Sequence, residues 1–356
     1  MKKRVVMMAG GTGGHVFPAL AVARAWEEKG YEVHWLGGEQ GIEQRLVPQA
    51  GYPLKALTVK GLRSGGAWRK LLAPWMIFSA IREARRWLKE VNPVLVMGFG
   101  GYASGPGGLA ARWCGIPLVV HEQNAIPGLT NRVLSHVAQL TLAAFEGAFP
   151  AEVPVVGNPV REEILALPAP KQRYDEREGA LRLLILGGSQ GALALNTQLP
   201  PVLGKVLAEQ DVQIRHQAGR GRRDETLAAY EGTGLSVQVD EFIDDMAQAY
   251  GWADLVISRA GALTISELAA AGVAALCVPL PTAADDHQTH NAQWLAGVGA
   301  ARILPQAELT EAGVKERLDD ILARHTLAQM AQRGREALHA HSAQRVVQLS
   351  EELLHG

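Results

Sequence analysis

A bare glycine turn near the amino terminus constrains the fold of this chain more than any other feature. Four of the five residues from 10 to 14 are glycine, between the apolar run KRVVMMA and the helical pattern PALAVARAWEEKG. Without a Cβ the backbone can turn sharply and approach a ligand closely, and the N-terminus of the following helix attracts negative charge. Strand, glycine turn and helix in this order predict a βαβ unit whose turn receives a phosphate or a similar anion.

Two further glycine loops, GFGGYASG at 98–105 and GGSQGA at 187–192, also follow apolar strands. None of the loops has the GxxxxGK(S/T) pattern of a P-loop, and neither GGTGGH nor GGSQGA is the GxGxxG of dinucleotide-binding proteins. A dinucleotide-binding turn is followed about 20 residues later by an acidic residue, and Glu39 is not well placed to be that residue. The sequence therefore excludes a P-loop, argues against a nicotinamide enzyme, and leaves three candidate anion-binding turns.

Composition and charge limit the classes of protein to which this chain can belong. The chain has 356 residues and a net charge of −1, which fits two globular domains and gives no general attraction to nucleic acid. Its two cysteines form no metal-binding pattern, and we expect both to stay reduced in the cytoplasm. The apolar run after the basic start is too short for a secretion signal, and no run is long enough to span a membrane.

Apolar β-branched runs alternate with helical patterns in two successive series. The first series ends near residue 160, and the second begins with LRLLILGGSQG at 181, so both start on a strand and a glycine turn. The segment 161–180 between them is rich in charge and proline, which is typical of a linker. We predict an α/β fold with parallel-sheet domains at 1–160 and 181–336 and a final helix at about 337–356.

Polar residues follow two other predicted strands. His121, Glu122 and Asn124 come at the end of one strand, on the edge of the sheet where the first glycine loop should lie. Three such side chains together favour a site over a single structural histidine. A second group, in DDHQTHNAQW at 285–294, has two histidines and two aspartates, but no flanking cluster completes a metal site. We therefore predict no bound metal.

Glu267 allows two interpretations. It follows a strand and a glycine-containing loop in VISRAGALTISELAAAG at 256–272, where a carboxylate can accept hydrogen bonds from a ribose diol. It also lies three residues after Thr264, which is the spacing of a helix capping box. The residues alone leave both a nucleotide contact and a helix cap open.

Taken in order, these motifs resemble the MurG family of peptidoglycan glycosyltransferases. The resemblance covers nearly the whole chain, and its motifs are MMAGGTGGHVFPALAVA, GFGGYASGP, HEQNAIPG, VVGNPVR, LGGSQGA, SRAGALTISEL and DDHQTHNA. It implies the GT-B fold, two Rossmann-like domains with a cleft between them and a last helix that crosses back to the first domain. It also implies an inverting enzyme, with no cofactor, that moves N-acetylglucosamine from UDP-N-acetylglucosamine to the 4-hydroxyl of the muramyl sugar of lipid I, forming lipid II.

The resemblance also implies a donor site. Ser189 and its loop amides would hold the diphosphate, Ile243 would meet uracil through its backbone, and Glu267 would bind the ribose hydroxyls. Gln288 would contact the sugar hydroxyls, although its neighbours THNA vary within the family. The other donor positions are Thr12, Gly13, Gly14, Asn124, Arg161, Ala262, Leu263, Thr264, Ile265 and Ser266. Because the chain lacks an Asp-x-Asp pair, the loop amides and the helix N-terminus would stabilise the negative charge of departing UDP.

An inverting transfer needs a base close to the acceptor hydroxyl. His15, at the exit of the loop expected to cradle the acceptor diphosphate, is our first candidate because histidine titrates near neutral pH. Glu122 is the second, since an apolar cleft makes a carboxylate more basic. The residues expected to bind the acceptor are Gly10, Gly11, Gly100, Gly101 and Tyr102.

The segment 60–90 is basic and aromatic. It holds eight Lys or Arg and two Glu, so its net charge is +6 in a chain whose total is −1. A helix from about Pro74 would bury a stripe that comprises Ile77, Ile81, Ala84 and Leu88. The apolar residues outside that stripe are Trp68, Leu71, Leu72, Trp75 and Phe78. An ordinary amphipathic helix with a solvated basic face remains open, but aromatics beside cations suit an anionic bilayer surface. The predicted membrane contacts are Trp75, Phe78, Arg82, Arg85 and Arg86.

These expectations describe a peripheral enzyme on the cytoplasmic face of the cell membrane. Its predicted partners are UDP-N-acetylglucosamine, lipid I and an anionic membrane surface, with cell-wall and division proteins as further candidates and no nucleic acid. Two other functions stay open from the residues. One is a UDP-sugar epimerase of the same fold, which needs no acceptor, and the other is a nucleotide-binding regulator, which releases no UDP.

Overall fold

The structure of the chain is a computed structural model that describes residues 2–58, 67–188 and 191–355, with 67–73 and 284 described by their backbone alone. It divides into two compact units. Unit 1 comprises Met1–Arg161 with His339–Gly356, and unit 2 comprises Glu162–Leu338. Of the predicted site residues, Ser189 falls outside the description, as do Lys60 and Arg63 among the basic residues counted in 60–90. The side chains of Trp68, Arg69, Lys70, Leu71 and Leu72 also fall outside it.

Unit 1, in its described part, is built on one sheet of six parallel strands in the order β3-β2-β1-β4-β5-β6. The strands are β1 Arg4–Met8, β2 Glu32–Gly38, β3 Leu54–Leu57, β4 Leu95–Gly98, β5 Leu118–Glu122 and β6 Leu140–Ala143. The helices are α1 Gly13–Glu28, α2 Glu43–Gln49, α3 Ala67–Val91, α4 Ser104–Trp113, α5 Leu129–Leu134 and, at the carboxyl end, α16 Ser342–His355. A helix after nearly every strand returns the chain to the same edge, which is why the sheet is parallel.

Both faces of this sheet are covered, as the continuous apolar strands require. In β1, Val5 and Met7 point to the core shared with α1, while Val6 and Met8 point to the core shared with α3 and α4. This alternation is the two-residue period of an extended strand. The helix α16 adds Val346 to the first of these cores and packs on α1.

Unit 2 repeats the design with a second sheet of six parallel strands, in the order β12-β11-β10-β7-β8-β9. The strands are β7 Leu181–Leu186, β8 Val212–Gln217, β9 Ser236–Asp240, β10 Leu255–Ser258, β11 Ala274–Cys277 and β12 Ala301–Ile303. The α-helices are α6 Glu162–Leu165, α7 Pro170–Asp175, α8 Leu193–Thr197, α9 Leu199–Val206, α10 Arg223–Tyr230, α11 Met246–Trp252, α12 Ala262–Ala271, α13 His287–Gly297, α14 Glu311–Leu318 and α15 Arg324–Ala337. Short 3₁₀ helices lie at Ala284–Asp286 and Gln306–Glu308.

Of the segment that we predicted as a linker, 161–180, the residues from 162 onward pack into unit 2 instead. It contains α6 and α7, and the buried Tyr174 donates its hydroxyl hydrogen bond to the carbonyl of Asp254 over 2.6 Å. Arg173 is also buried and donates to carbonyls at the end of α12, and Arg177 pairs with the carboxylate of Asp254. The charges and prolines that looked typical of a solvated linker therefore anchor two short helices.

In each sheet the strand order reverses once, which sets where a ligand is expected. The reversal lies between β1 and β4 in unit 1 and between β7 and β10 in unit 2. At such a reversal, the loops after two neighbouring strands leave the sheet on opposite faces. The space between them is a crevice at the carboxyl ends of the strands. The three glycine loops all begin at these two points, after β1, β4 and β7.

The helix α3 is longer than the predicted one, since it begins at Ala67 and contains Pro74. Of the predicted stripe, Ala84 and Leu88 are buried and Ile81 is half-buried against the same core, but Ile77 is 36% exposed and does not belong to it. Ala80, which was not predicted, is also buried. Within the described residues no helix has the length and the apolar character needed to cross a bilayer.

Candidate active site

The glycine loops that follow β1 and β4 pack directly against each other in unit 1. A Cβ built on Gly101 would lie 2.5 Å from the carbonyl oxygen of Gly10, and one built on Gly100 would lie 3.1 Å from Nε2 of His15. Gly100 and Gly101 also have positive φ, which L side chains rarely adopt. The glycines at these positions therefore allow the two loops and the imidazole of His15 to meet.

The hydrogen bond of His15 fixes which ring nitrogen can take a proton. Nδ1 of the half-buried ring lies 3.2 Å from the carbonyl oxygen of Gly10. Because a carbonyl only accepts, Nδ1 carries the hydrogen in the neutral ring, and Nε2, on the side of Gly100, holds the free lone pair. A histidine in this state is ready to act as a general base.

Glu122, at the end of β5, is buried and accepts four hydrogen bonds. Oε1 accepts from the backbone N–H of Asn124 at 2.9 Å and from its side-chain amide at 3.1 Å. Oε2 accepts from Asn131 Nδ2 at 2.9 Å and from the N–H of Gly128 at 3.2 Å. These donors occupy both oxygens, so Glu122 holds the loop between β5 and α5 in place.

His121 is a structural residue. Its ring is fully buried, Nε2 donates to the carbonyl of Gly157 at 3.0 Å, and Nδ1 accepts from Gln123 Nε2 at 3.1 Å. Burial lowers the pKa of His121 to about 4, so the ring is neutral at physiological pH. Both ring nitrogens are engaged, which leaves His121 no role in proton transfer.

The other predicted residues of unit 1 lie around the same edge of the sheet. Thr12 is the exposed N-cap residue of α1, and its side chain makes no capping hydrogen bond. The guanidinium of Arg161 stacks on the ring of Phe17 in α1 at 5.4 Å. Tyr102, between β4 and α4, is 54% exposed and can meet a ligand.

In unit 2 the loop after β7 rests on the end of β8. The N–H of Gly187 donates to the carbonyl of Gln217 at 2.9 Å, and a Cβ on Gly191 would lie 2.7 Å from Cδ of Arg222. The sequence reasoning did not consider Arg222, although the run GRGRR at 219–223 directly follows a predicted strand. A cation thus lies beside the loop expected to hold the donor diphosphate.

The capping-box interpretation of Glu267 is wrong. The helix α12 has Gly261 as its N-cap and begins at Ala262, so Thr264 is already in the third helical position and Glu267 lies one turn further on. The carboxylate of Glu267 is buried, and Oε2 accepts the hydroxyl hydrogen bond of Tyr250 at 3.0 Å. A buried acidic side chain with an orienting partner, at the end of the sheet where strand order reverses, suits a ligand contact.

The neighbouring residues of α12 differ in what they can reach. Leu263 and Thr264 are half-buried, whereas the side chain of Ile265 is completely buried in the protein and is not available to a nucleotide. Ser266 donates its hydroxyl hydrogen bond to the carbonyl of Ala262 at 3.0 Å, within the helix. Of the predicted contacts in 262–266, Leu263 and Thr264 therefore present the most accessible side-chain surface.

Gln288 connects two loops at the edge of this sheet. Its Oε1 accepts from the backbone N–H of Ala260 at 3.2 Å and from that of Leu280 at 3.0 Å. The side-chain oxygen is thus engaged, and the amide Nε2 is the group that can donate to a sugar hydroxyl. In the described part of the chain, the nearby histidines and aspartates form no group of three metal-ligating side chains.

Ile243 and Phe242 follow β9. Ile243 is buried, which leaves its backbone for any contact, while the ring of Phe242 is 56% exposed. An exposed aromatic ring next to a buried backbone anchor is a suitable surface for a planar base to stack on.

A second surface of unit 1 lies on α3. Trp75 is 71% exposed and Phe78 is 41% exposed, with ring centroids 6.3 Å apart. Arg82 lies over the Phe78 ring at 5.9 Å, and Arg85 lies over the ring of Trp113 in α4 at 4.6 Å. An open cavity of about 580 Å³ is lined by Lys55, Trp75, Phe78, Ser79, Arg82, Glu83, Arg86, Trp87 and Glu90.

Two family models together match most of the chain. Residues 5–142 match the glycosyltransferase family 28 N-terminal domain, and residues 182–347 match the glycosyltransferase family 28 C-terminal domain. The two matched regions correspond closely to the two sheets described above.

Similar proteins cover the chain from end to end. A UDP-N-acetylglucosamine–N-acetylmuramyl-(pentapeptide) pyrophosphoryl-undecaprenol N-acetylglucosamine transferase of Alcanivorax borkumensis is 56% identical over 357 residues, with 100% of both chains covered. One of the same name from Aeromonas hydrophila is 51% identical, over 97% of this chain and 96% of its own. The crystal structure of Acinetobacter baumannii MurG superimposes with a TM-score of 0.86 at 43% identity, covering 98% of this chain and 99% of that one.

Proposed function

The chain belongs to glycosyltransferase family 28, with the GT-B fold, and from this premise we propose how its residues divide the work of transfer. It transfers N-acetylglucosamine from UDP-N-acetylglucosamine to lipid I, forming lipid II, in peptidoglycan synthesis. The observation that carries the residue assignment is the pair of strand-order reversals, each with a glycine loop. At the reversal in unit 1 lies His15, whose Nε2 is free, and at the reversal in unit 2 lies the buried carboxylate of Glu267.

We assign the donor to unit 2. Glu267 accepts hydrogen bonds from the ribose diol, and the loop after β7, with Ser189 and the nearby Arg222, surrounds the diphosphate. The amide of Gln288 donates to a sugar hydroxyl, while Ile243 and Phe242 contact the uracil. Backbone amides and a helix N-terminus stabilise the charge that develops on departing UDP.

We assign the base to His15 in unit 1. Its Nε2 takes the proton of the acceptor 4-hydroxyl as that oxygen attacks the anomeric carbon and the bond to UDP breaks. The bond from Nδ1 to the Gly10 carbonyl supports this assignment because it leaves Nε2 unprotonated before the reaction. Glu122 is a positioning residue in this proposal, since its four donors leave the carboxylate no free oxygen for a substrate proton.

We propose that the acceptor binds beside His15. Tyr102 and the loop of Gly100 and Gly101 are the best supported contacts, because Tyr102 is exposed and the loop leads into the N-terminus of α4. Gly11 is less suited than the sequence indicated, since its N–H already donates to Glu43 Oε2 at 2.9 Å.

We propose that the α3 surface holds the enzyme on an anionic membrane, where its lipid-linked acceptor resides. The exposed rings of Trp75 and Phe78 lie beside Arg82 and Arg86, which are also exposed. This combination fits the headgroup region, since aromatic rings insert while cations meet the anionic lipids.

The function is tested by release of UDP from UDP-N-acetylglucosamine with and without lipid I. We expect UDP release that requires lipid I and a stoichiometric gain of lipid II. Formation of a 2-epimer without acceptor would instead identify an epimerase, and binding of UDP-N-acetylglucosamine without any turnover would identify a regulator. Either result would overturn the assignment.

A further inference from the structure

Glu43 is a buried acidic residue to which the mechanism so far gives no role. It lies in the first turn of α2 with 1% of its surface exposed. Oε2 accepts from the backbone N–H of Gly11 at 2.9 Å, and Oε1 accepts from that of Gly38 at 3.1 Å. The carboxylate therefore connects the loop after β1 to the end of β2.

Glycines make the space for this carboxylate. A Cβ on Gly10 would lie 2.5 Å from Oε1, one on Gly37 would lie 2.9 Å from Cγ, and one on Gly41 would overlap Oε2. Gly10 and Gly37 do not have positive φ, so backbone conformation does not require glycine there. The two positions need glycine because the Glu43 side chain occupies the adjoining volume.

The bond to Glu43 also determines where the Gly10 carbonyl points. The Gly11 N–H and the Gly10 C=O belong to one peptide unit, and a planar trans peptide directs these two groups in opposite directions. Glu43 holds the N–H on one side, and His15 Nδ1 meets the C=O on the other at 3.2 Å. A peptide between two glycines rotates easily, so this plane needs such an anchor.

We propose that Glu43 is a positioning residue that locks the Gly10–Gly11 peptide and through it keeps His15 in the Nδ1–H form. The inference rests on the proposed role of His15 as the base. In this inference the first glycine loop orients His15 and does not bind the acceptor phosphate through Gly11. The Gly11 N–H is already bound to the Glu43 carboxylate.

The test is the Glu43→Gln variant of the full-length chain. Glutamine keeps the size but has one acceptor oxygen for the two backbone donors, so the pair of bonds that fixes the side chain and the Gly10–Gly11 peptide is broken. We expect kcat to fall about tenfold or more, as part of the contribution of a general base is lost, with the KM values for both substrates within about twofold of wild type. Glu39→Gln, at an exposed position four residues earlier, is the matched control and should retain the wild-type kcat.

Nitrogen NMR of His15 provides a readout that a merely structural role would not move. At about pH 8, where imidazole is neutral, the wild-type ring should be protonated at Nδ1, and Glu43→Gln should gain the Nε2–H form. The His15 resonances are identified by their loss in His15→Ala. The wild-type measurement stands even if Glu43→Gln fails to fold, and a wild-type ring protonated mainly at Nε2 would overturn the proposal.

Two kinetic results would also overturn it. The first is Glu43→Gln with wild-type kcat. The second is a markedly lower KM for lipid I in that variant, because it would show that removing the carboxylate frees the loop to bind the acceptor diphosphate. Full turnover by His15→Ala would overturn a different proposal, namely that His15 is the base. The effect of Glu43 on the His15 tautomer would still be decided by the NMR measurement.

Discussion

Tyr250 donates its hydroxyl hydrogen bond to Oε2 of Glu267 over 3.0 Å, within the buried part of unit 2. The bond joins α11 to α12 and orients a carboxylate that the helix itself does not use as a cap. In our proposal this bond holds Glu267 in one orientation before the donor arrives, which lowers the entropy lost when the ribose diol binds.

Glu267→Ala should weaken donor binding more than it destabilises the fold. Loss of hydrogen bonds to a charged group costs about 1.5–3 kcal/mol, which is about 10- to 150-fold in UDP affinity. Tyr250→Phe keeps the carboxylate and removes only one orienting bond, so its effect on UDP affinity should be smaller. Calorimetric titration with UDP measures both variants. Unchanged UDP affinity in a Glu267→Ala protein with a lowered Tm would return Glu267 to a structural role.

Glu122→Ala should lower stability and activity together. The substitution leaves Asn124, Gly128 and Asn131 without their buried acceptor, and unsatisfied donors cost about 1–3 kcal/mol each. We expect a fall of several degrees in Tm, measured by calorimetry, together with reduced turnover. A variant with wild-type Tm whose kcat is strongly reduced would indicate instead that Glu122 takes the substrate proton.

Two buried histidines should make the protein less stable in mild acid. Burial lowers the pKa of His121 to about 4 and that of His216 to about 3, so both take up protons more readily when the chain unfolds. Between the unfolded value near 6.5 and these folded values, stability therefore falls as the pH falls.

The His216 contribution can be isolated by urea unfolding at pH 7 and pH 5. Linkage gives a loss of about 2 kcal/mol between these pH values from this one histidine. The difference should shrink by about that amount in His216→Gln, although this variant also loses the bonds to Asn196 and Tyr230 and is less stable at both pH values. The exposed His325→Gln should keep the wild-type difference, and an equal difference in all three proteins would contradict the expected linkage.

Binding to anionic vesicles should depend on the α3 surface. Each Lys or Arg near an anionic surface contributes about 1 kcal/mol, so Arg82→Ala, Arg85→Ala and Arg86→Ala together should weaken co-sedimentation about a hundredfold at low salt. Trp75→Ser with Phe78→Ser should weaken it through lost apolar insertion. A matched triple variant in unit 2, at Lys205, Arg220 and Arg223, removes the same charge and should bind as wild type does. If the wild-type chain fails to bind these vesicles at low salt, α3 is an ordinary amphipathic helix.

The sequence predicted the framework of both units because its signals are local. Glycine turns directly after apolar strands located the loops at Gly10, Gly100 and Gly187, and alternating strands and helices predicted the parallel sheets. The reversal of strand order in each sheet was not predicted and is seen only in the structure. The resemblance to a known family then carried the activity, which composition and periodicity alone did not determine.

What the sequence did not predict depends on contacts between distant segments. Glu43 begins the short helix α2, and the sequence reasoning did not consider it, because its proposed role depends on glycines brought together by β1 and β2. The segment that looked like a linker is held by Asp254, about 80 residues away. The capping box had the correct spacing, but Gly261 starts α12 three residues before Thr264, and local spacing does not show where a helix begins.

The central claim, that His15 is the base and acts separately from donor binding, is tested most directly by the turnover of His15→Ala at saturating UDP-N-acetylglucosamine and lipid I. Loss of a general base should lower kcat by at least about a hundredfold, while the Kd for UDP, which we assign to unit 2, stays within about twofold of wild type. Added imidazole should restore part of the rate. Wild-type turnover in His15→Ala would contradict the account and leave another group to accept the proton.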